Sequence, residues 1–129
     1  MVTTTACYKP LTMQYEAISP LDKAEAGEKL LSGDTEAIVY GLLGAVEGVD
    51  DWRWVQDQCL RFVADPREDV ARVAIICLGH LARIWGELDQ KRVRESLKGV
   101  KASASPRILG AIEDALGDIK MFLKKTPTK

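Results

Sequence analysis

The chain has 129 residues but only one histidine, His80, and three cysteines, Cys7, Cys59 and Cys77, with no CxxC pair. Zinc and related metals need several such ligands at short fixed spacing, so no metal and no other cofactor is expected. An odd, scattered cysteine set reads as reduced thiols in a cytoplasmic protein. Long apolar runs are missing too. The longest, Val73 to Leu78, is far short of a membrane span, so no membrane partner is expected. The opening MVTTTACYKP has neither a basic n-region nor an apolar h-region, so no secretory signal is expected. Strand signals are almost absent, since the β-branched Val2 to Thr5 is too short and isolated to build a sheet. Net charge is nearly absent as well: 18 basic and 19 acidic residues leave −1, which makes nucleic acid an unexpected partner.

What is present is helical periodicity, in a length that suits one domain with a real core. Ser19-Pro20 resembles an N-cap and first-turn proline, and the helix it opens should run to about Leu31. Asp34-Thr35 caps a second helix carrying Ile38, Val39, Leu42, Leu43 and Val46 and ending near Gly48. Asp50 or Asp51 opens a third, with Trp52, Val55, Cys59, Phe62 and Val63 on one face. Asp65-Pro66 caps a fourth, holding Val70, Val73, Ala74, Cys77, Leu78, Leu81 and Trp85 as its apolar positions, and Gly86 ends it. Asp89 opens a fifth with Val93, Leu97 and Val100; Ser105-Pro106 opens a sixth with Ile108, Ile112, Ala115, Leu116, Ile119 and Phe122. The reading is all-α, with an irregular segment at 1–19, one helical domain at 20–124 and a basic tail at 125–129.

A short unit recurs. Leu43-Gly44-Ala45-Val46 matches Leu78-Gly79-His80-Leu81 and Leu116-Gly117-Asp118-Ile119, at offsets of 35 and 38. Each copy lies in the second helix of a hairpin, and its glycine costs about 1 kcal/mol relative to alanine. Three such glycines predict another helix passing close at each, as in stacked helical hairpins. Asp65-Pro66, Val70, Arg72, Ala74, Leu78, Gly79 and Leu81 resemble the pattern of HEAT-repeat proteins. The arginine is one place late, with Ala71 where the family has it. The resemblance implies a short α-solenoid of three HEAT-like hairpins. Trp54-Val55-Gln56, Cys59-Leu60, the run Leu78 to Ile84 and the run Asp114 to Ile119 are similar to small bacterial HEAT-like proteins, including immunity proteins of contact-dependent growth inhibition. That resemblance implies a cytoplasmic antitoxin that binds a cognate toxin domain, often a nuclease, and blocks it.

No nucleophile–base pair, metal cluster or phosphate loop stands out, so no catalytic residue is assigned. Charge is segregated: residues 16–51 sum to −7, 52–88 to zero and 89–129 to +5. An acidic end steers a basic partner, so Glu36, Glu47, Asp50 and Asp51, with Tyr40 among them, are assigned to its contact. Trp52 and Trp54 point about 200° apart on a helix. Trp52 follows the apolar stripe and Trp54 shares the polar face of Gln58 and Arg61, which makes Trp54 a candidate interface anchor. Trp85 continues the stripe of Leu78 and Leu81 and belongs to the core. Arg72, Ile76, His80 and Arg83 follow i, i+4, i+8, i+11 and form one exposed stripe. Stacking places it between Ala37, Gly41 and Ala45 on one side and Gly110, Asp114 and Asp118 on the other. Such a mixed trough suits protein recognition better than a dry cofactor pocket, although Arg72 or Arg83 pairing with Asp114 and Asp118 is an equal alternative. The expected activity is binding of a basic toxin domain, burying on the order of 1,600 Å². A general HEAT scaffold and a nucleic-acid-binding HEAT protein are the rival readings.

Overall fold

A computed structural model describes residues 20–123; the segment 1–19 and the basic tail lie outside the described residues. Six helices follow one another: α1 (Lys23–Leu30), α2 (Thr35–Gly48), α3 (Trp52–Phe62), α4 (Glu68–Trp85), α5 (Gln90–Lys101) and α6 (Pro106–Leu123). No strand occurs among the described residues. The described part of the chain is therefore all-helical.

Local chemistry sets most of the boundaries. Asp34, Asp51 and Asp89 each accept a hydrogen bond from the backbone N–H three residues on, at 2.9, 3.2 and 3.3 Å, and so start α2, α3 and α5. Ser105 does the same for α6, its Oγ accepting from the Ile108 N–H at 3.3 Å, with Pro106 in the first turn. Two expected starts are corrected. α1 begins after Asp22, not at Pro20, because Asp22 and Glu25 form a reciprocal capping box. α4 begins at Glu68 with Arg67 as an N-cap lacking a side-chain bond. Asp65 does not cap it, because its carboxylate is taken by the Arg67 N–H at 2.8 Å and the Arg67 guanidinium at 2.9 and 3.0 Å. Gly86 ends α4 with φ of +66°, a conformation that disfavours any side chain.

α1 packs on α2, α3 on α4 and α5 on α6, while α2, α4 and α6 lie against one another in chain order. Their shared interior holds Ile38, Leu42, Val46, Val70, Ala74, Leu78, Leu81, Ile112 and Ile119, all buried. Burying one such leucine or isoleucine contributes roughly 1.5–3 kcal/mol, so this layer dominates stability. α1, α3 and α5 form the outer layer, linked by polar contacts: Lys23 to Asp51 at 2.9 Å and Arg92 to Asp57 at 2.9 Å. Gln56 of α3 is the one buried polar side chain among the described residues, and its Oε1 accepts from the Asp89 N–H at 2.7 Å. Cys59 and Cys77 meet inside the α3–α4 pair, where their mutual hydrogen bond and full burial push the Cys77 thiol up, keeping it protonated.

One apolar expectation fails and another holds only in part, since Trp85 is exposed while Trp52 packs against the core. Trp85 is 38% exposed. It is the last residue of α4, two residues past Arg83, with which the end of α2 at Gly48 aligns at the repeat offset of 35. Trp52 is half-buried, with the Arg53 guanidinium 4.8 Å from its ring centroid. The glycine expectation holds at one copy and fails at another. A Cβ on Gly79 would lie 2.9 Å from Asp118 Oδ2 and 3.2 Å from Ala115 Cα, so α6 does pass close. Gly117 faces open space. The tightest approach is at Gly48, where a Cβ would press on the backbone of Leu21, which is itself tied by its N–H to the Gly44 carbonyl at 3.1 Å.

Candidate functional site

α4 lies between α2 and α6, so its outward stripe becomes the floor of a trough. Arg72, Ile76 and His80 are half-buried on this stripe and Arg83 is exposed at its end. His80 borders two cavities. One, of about 450 Å³, is lined by Glu47, His80, Arg83, Ile84 and Phe122. The other, of about 290 Å³, is lined by Ile76, His80, Asp114, Ala115 and Asp118. Six of the sequence-assigned residues, Glu47, Ile76, His80, Arg83, Asp114 and Asp118, thus meet around one imidazole. Burial holds the His80 pKa below its usual value and Arg83 lowers it further, while Asp118 and Glu47 oppose the shift. The imidazole is therefore neutral near pH 7, with one nitrogen able to donate a hydrogen bond and the other able to accept one.

The α2 wall differs from the expected row. Ala37, Gly41 and Ala45 do not line the trough: a Cβ on Gly41 would sit 3.0 Å from Lys29 Cβ and 3.1 Å from Leu30 Cδ2, so this row faces α1. About 100° round the helix, Glu36, Tyr40, Leu43 and Glu47 follow i, i+4, i+7, i+11 and form the open face. Glu36 and Glu47 are exposed there, and Tyr40 and Leu43 are half-buried. The pairing alternative for the arginines is not realised: neither Arg72 nor Arg83 makes an ion pair within 4 Å among the described residues.

Trp54, Asp50 and Asp51 stand elsewhere, at the start of α3 in the outer layer. Trp54 is half-buried against α1, with its Cζ2 3.9 Å from where a Gly27 Cβ would be and the Lys23 ammonium 5.6 Å from its ring centroid. Asp51 accepts from Lys23 and from the Trp54 N–H, and these two bonds, the Lys23 one first, hold its carboxyl below the usual range. Both residues therefore fasten α1 to α3; Asp50 is exposed beside them. Sequence reasoning missed Leu43, Ile84, Met121 and Phe122 as trough residues. The signal for Ile84 was visible, since it falls beside His80 and Arg83 on the outward side rather than on the stripe of Leu78 and Leu81.

Among the described residues no group of three or more His, Cys, Asp or Glu side chains could hold a metal ion, and no helix is long and apolar enough to cross a membrane. Fold and site together define a class: an all-helical protein whose chemistry-bearing side chains lie in an open trough of mixed charge, with no enclosed cleft around the histidine. Within that class, the chain is similar to a chain in the crystal structure of a CDI complex from Cupriavidus taiwanensis LMG 19424. The identity is 28% and the TM-score 0.72, over 92% of this chain and 98% of that one. No protein-family model and no curated protein matches the sequence.

Proposed function

We propose that this chain is a non-enzymatic immunity protein of contact-dependent growth inhibition. It binds a cognate toxin domain, a nuclease with a basic surface, in the cytoplasm and masks its active site or substrate surface. The observation that carries the reading is the likeness, across nearly the full length of both chains, to a component of a CDI complex. The three helical pairs are then HEAT-like hairpins of a short solenoid, and the trough over α2, α4 and α6 is the ledge that meets the toxin. Glu36, Tyr40 and Glu47 form one wall, Arg72, Ile76, His80 and Arg83 the floor, and Asp114 and Asp118 the other wall. The acidic walls draw in a basic domain, and Arg72 and Arg83, which form no ion pair among the described residues, fix its register.

The reading is tested in cells. A toxin domain encoded by the reading frame directly before this gene is expressed with and without this chain. Growth is expected only when both are made. Equal growth arrest in the two cases would remove the immunity reading.

A further inference from the structure

The apolar residues of the trough are not spread evenly. Of the large hydrophobic side chains most exposed among the described residues, Ile84 at 46% and Met121 at 61% belong to its C-terminal end. Ile84 and Phe122 line the 450 Å³ cavity together, and Glu47, His80 and Arg83 rim it. On α6, Met121 follows Asp114 by seven residues and so stands on the same outward side. The rim carries one carboxylate and one guanidinium that form no ion pair with each other or with any other described residue. A half-buried imidazole, neutral near pH 7, separates this cavity from the Asp114–Asp118 wall.

We infer that this cavity is the anchor point of the toxin interface: it takes one large apolar or aromatic side chain of the toxin domain, flanked on the toxin by a cation facing Glu47 and an anion facing Arg83. The inference rests on the immunity reading and deepens it. Interface hot spots are apolar pockets surrounded by polar rims that exclude water, and of the two cavities beside His80 this is the larger and the one lined by two large apolar side chains, Ile84 and Phe122. The rim charges of opposite sign require a partner with complementary charges at fixed places, which a protein surface has and a polyanion or a lipid headgroup layer does not. The cavity is continuous with the trough assigned to the toxin. The same geometry moves the anchor away from Trp54, whose ring is already spent against α1.

The test measures affinity of the purified chain for the purified toxin domain encoded by the preceding reading frame, using Ile84→Glu, Glu47→Lys and, as an outer-layer control, Lys98→Glu. Ile84 and Glu47 are exposed, so both variants should keep the wild-type melting temperature. Ile84→Glu is expected to weaken binding at least tenfold through faster dissociation. Glu47→Lys should slow association and flatten its salt dependence, and Lys98→Glu should change affinity less than twofold. Tight binding by wild type with Ile84→Glu within twofold of it would overturn the inference and leave the immunity reading standing. Failure of wild type to bind would defeat that reading, and the inference with it. A wild-type dimer in sedimentation that Ile84→Glu dissociates would assign the cavity to a second copy and overturn it too.

Discussion

A single added methyl separates the glycines that packing requires from those it does not. At Gly48 an alanine Cβ would press on the Leu21 backbone, which the Gly44 carbonyl holds in place. Gly48→Ala is therefore expected to lower unfolding free energy by about 1–3 kcal/mol. At Gly117 nothing lies within 4 Å, so Gly117→Ala should raise it by about 0.5–1 kcal/mol through helix propensity. Urea denaturation of the two variants checks both signs, and equal effects would contradict the close approach at Gly48. His80 gives a pH signature. Its folded pKa is depressed, so the unfolded chain binds the proton more readily and stability falls as pH drops below the ordinary histidine pKa. The depressed carboxylates Asp51, Asp65 and Glu68 add stability that is lost only at lower pH, through the carboxylate range. His80→Gln should flatten the melting temperature between about pH 5 and 7 and leave the more acidic limb in place.

At the scale of the element, Gln56 joins α3 to the start of α5. Replacing it by leucine keeps the volume but leaves the Asp89 N–H without its acceptor, at a cost of about 1–3 kcal/mol. An unchanged urea midpoint for Gln56→Leu would show that the bond contributes nothing. Helix starts were legible wherever an aspartate or serine kept an oxygen free to accept from the backbone N–H three residues on, as at Asp34, Asp51, Asp89 and Ser105. They were misread at Asp65, whose carboxylate is claimed by Arg67, and at Pro20, displaced by the Asp22–Glu25 box. Periodicity sufficed to put Arg72, Ile76, His80 and Arg83 on one outward stripe of α4, because their alignment needs only one helix. It misplaced the α2 wall, because which side of α2 stays open depends on α1 closing over Gly41. It misplaced Trp85 for a similar reason: the stripe continues past the point where its neighbour ends. Trp54 lies on a polar face, yet Gly27 opposite it leaves room for the indole.

On the scale of the whole molecule, three helical pairs leave α2, α4 and α6 side by side, and their outward faces alternate acidic, basic and acidic. The outer layer has a different task. Lys23–Asp51, Arg92–Asp57 and the Gln56–Asp89 bond tie one pair to the next. A ledge built on three packed helices suits recognition with little rearrangement, in which affinity resides in dissociation rate rather than encounter. The division of labour predicts where protection appears when the toxin domain is bound. Hydrogen–deuterium exchange of the chain, alone and with that domain, tests the claim most directly. Slower exchange is expected over the outward turns of α2 from Tyr40 to Glu47, of α4 from Ile76 to Ile84 and of α6 from Asp114 to Phe122, with α5 unchanged. Protection confined to α3 and α5, or none anywhere under saturating toxin, would contradict the account.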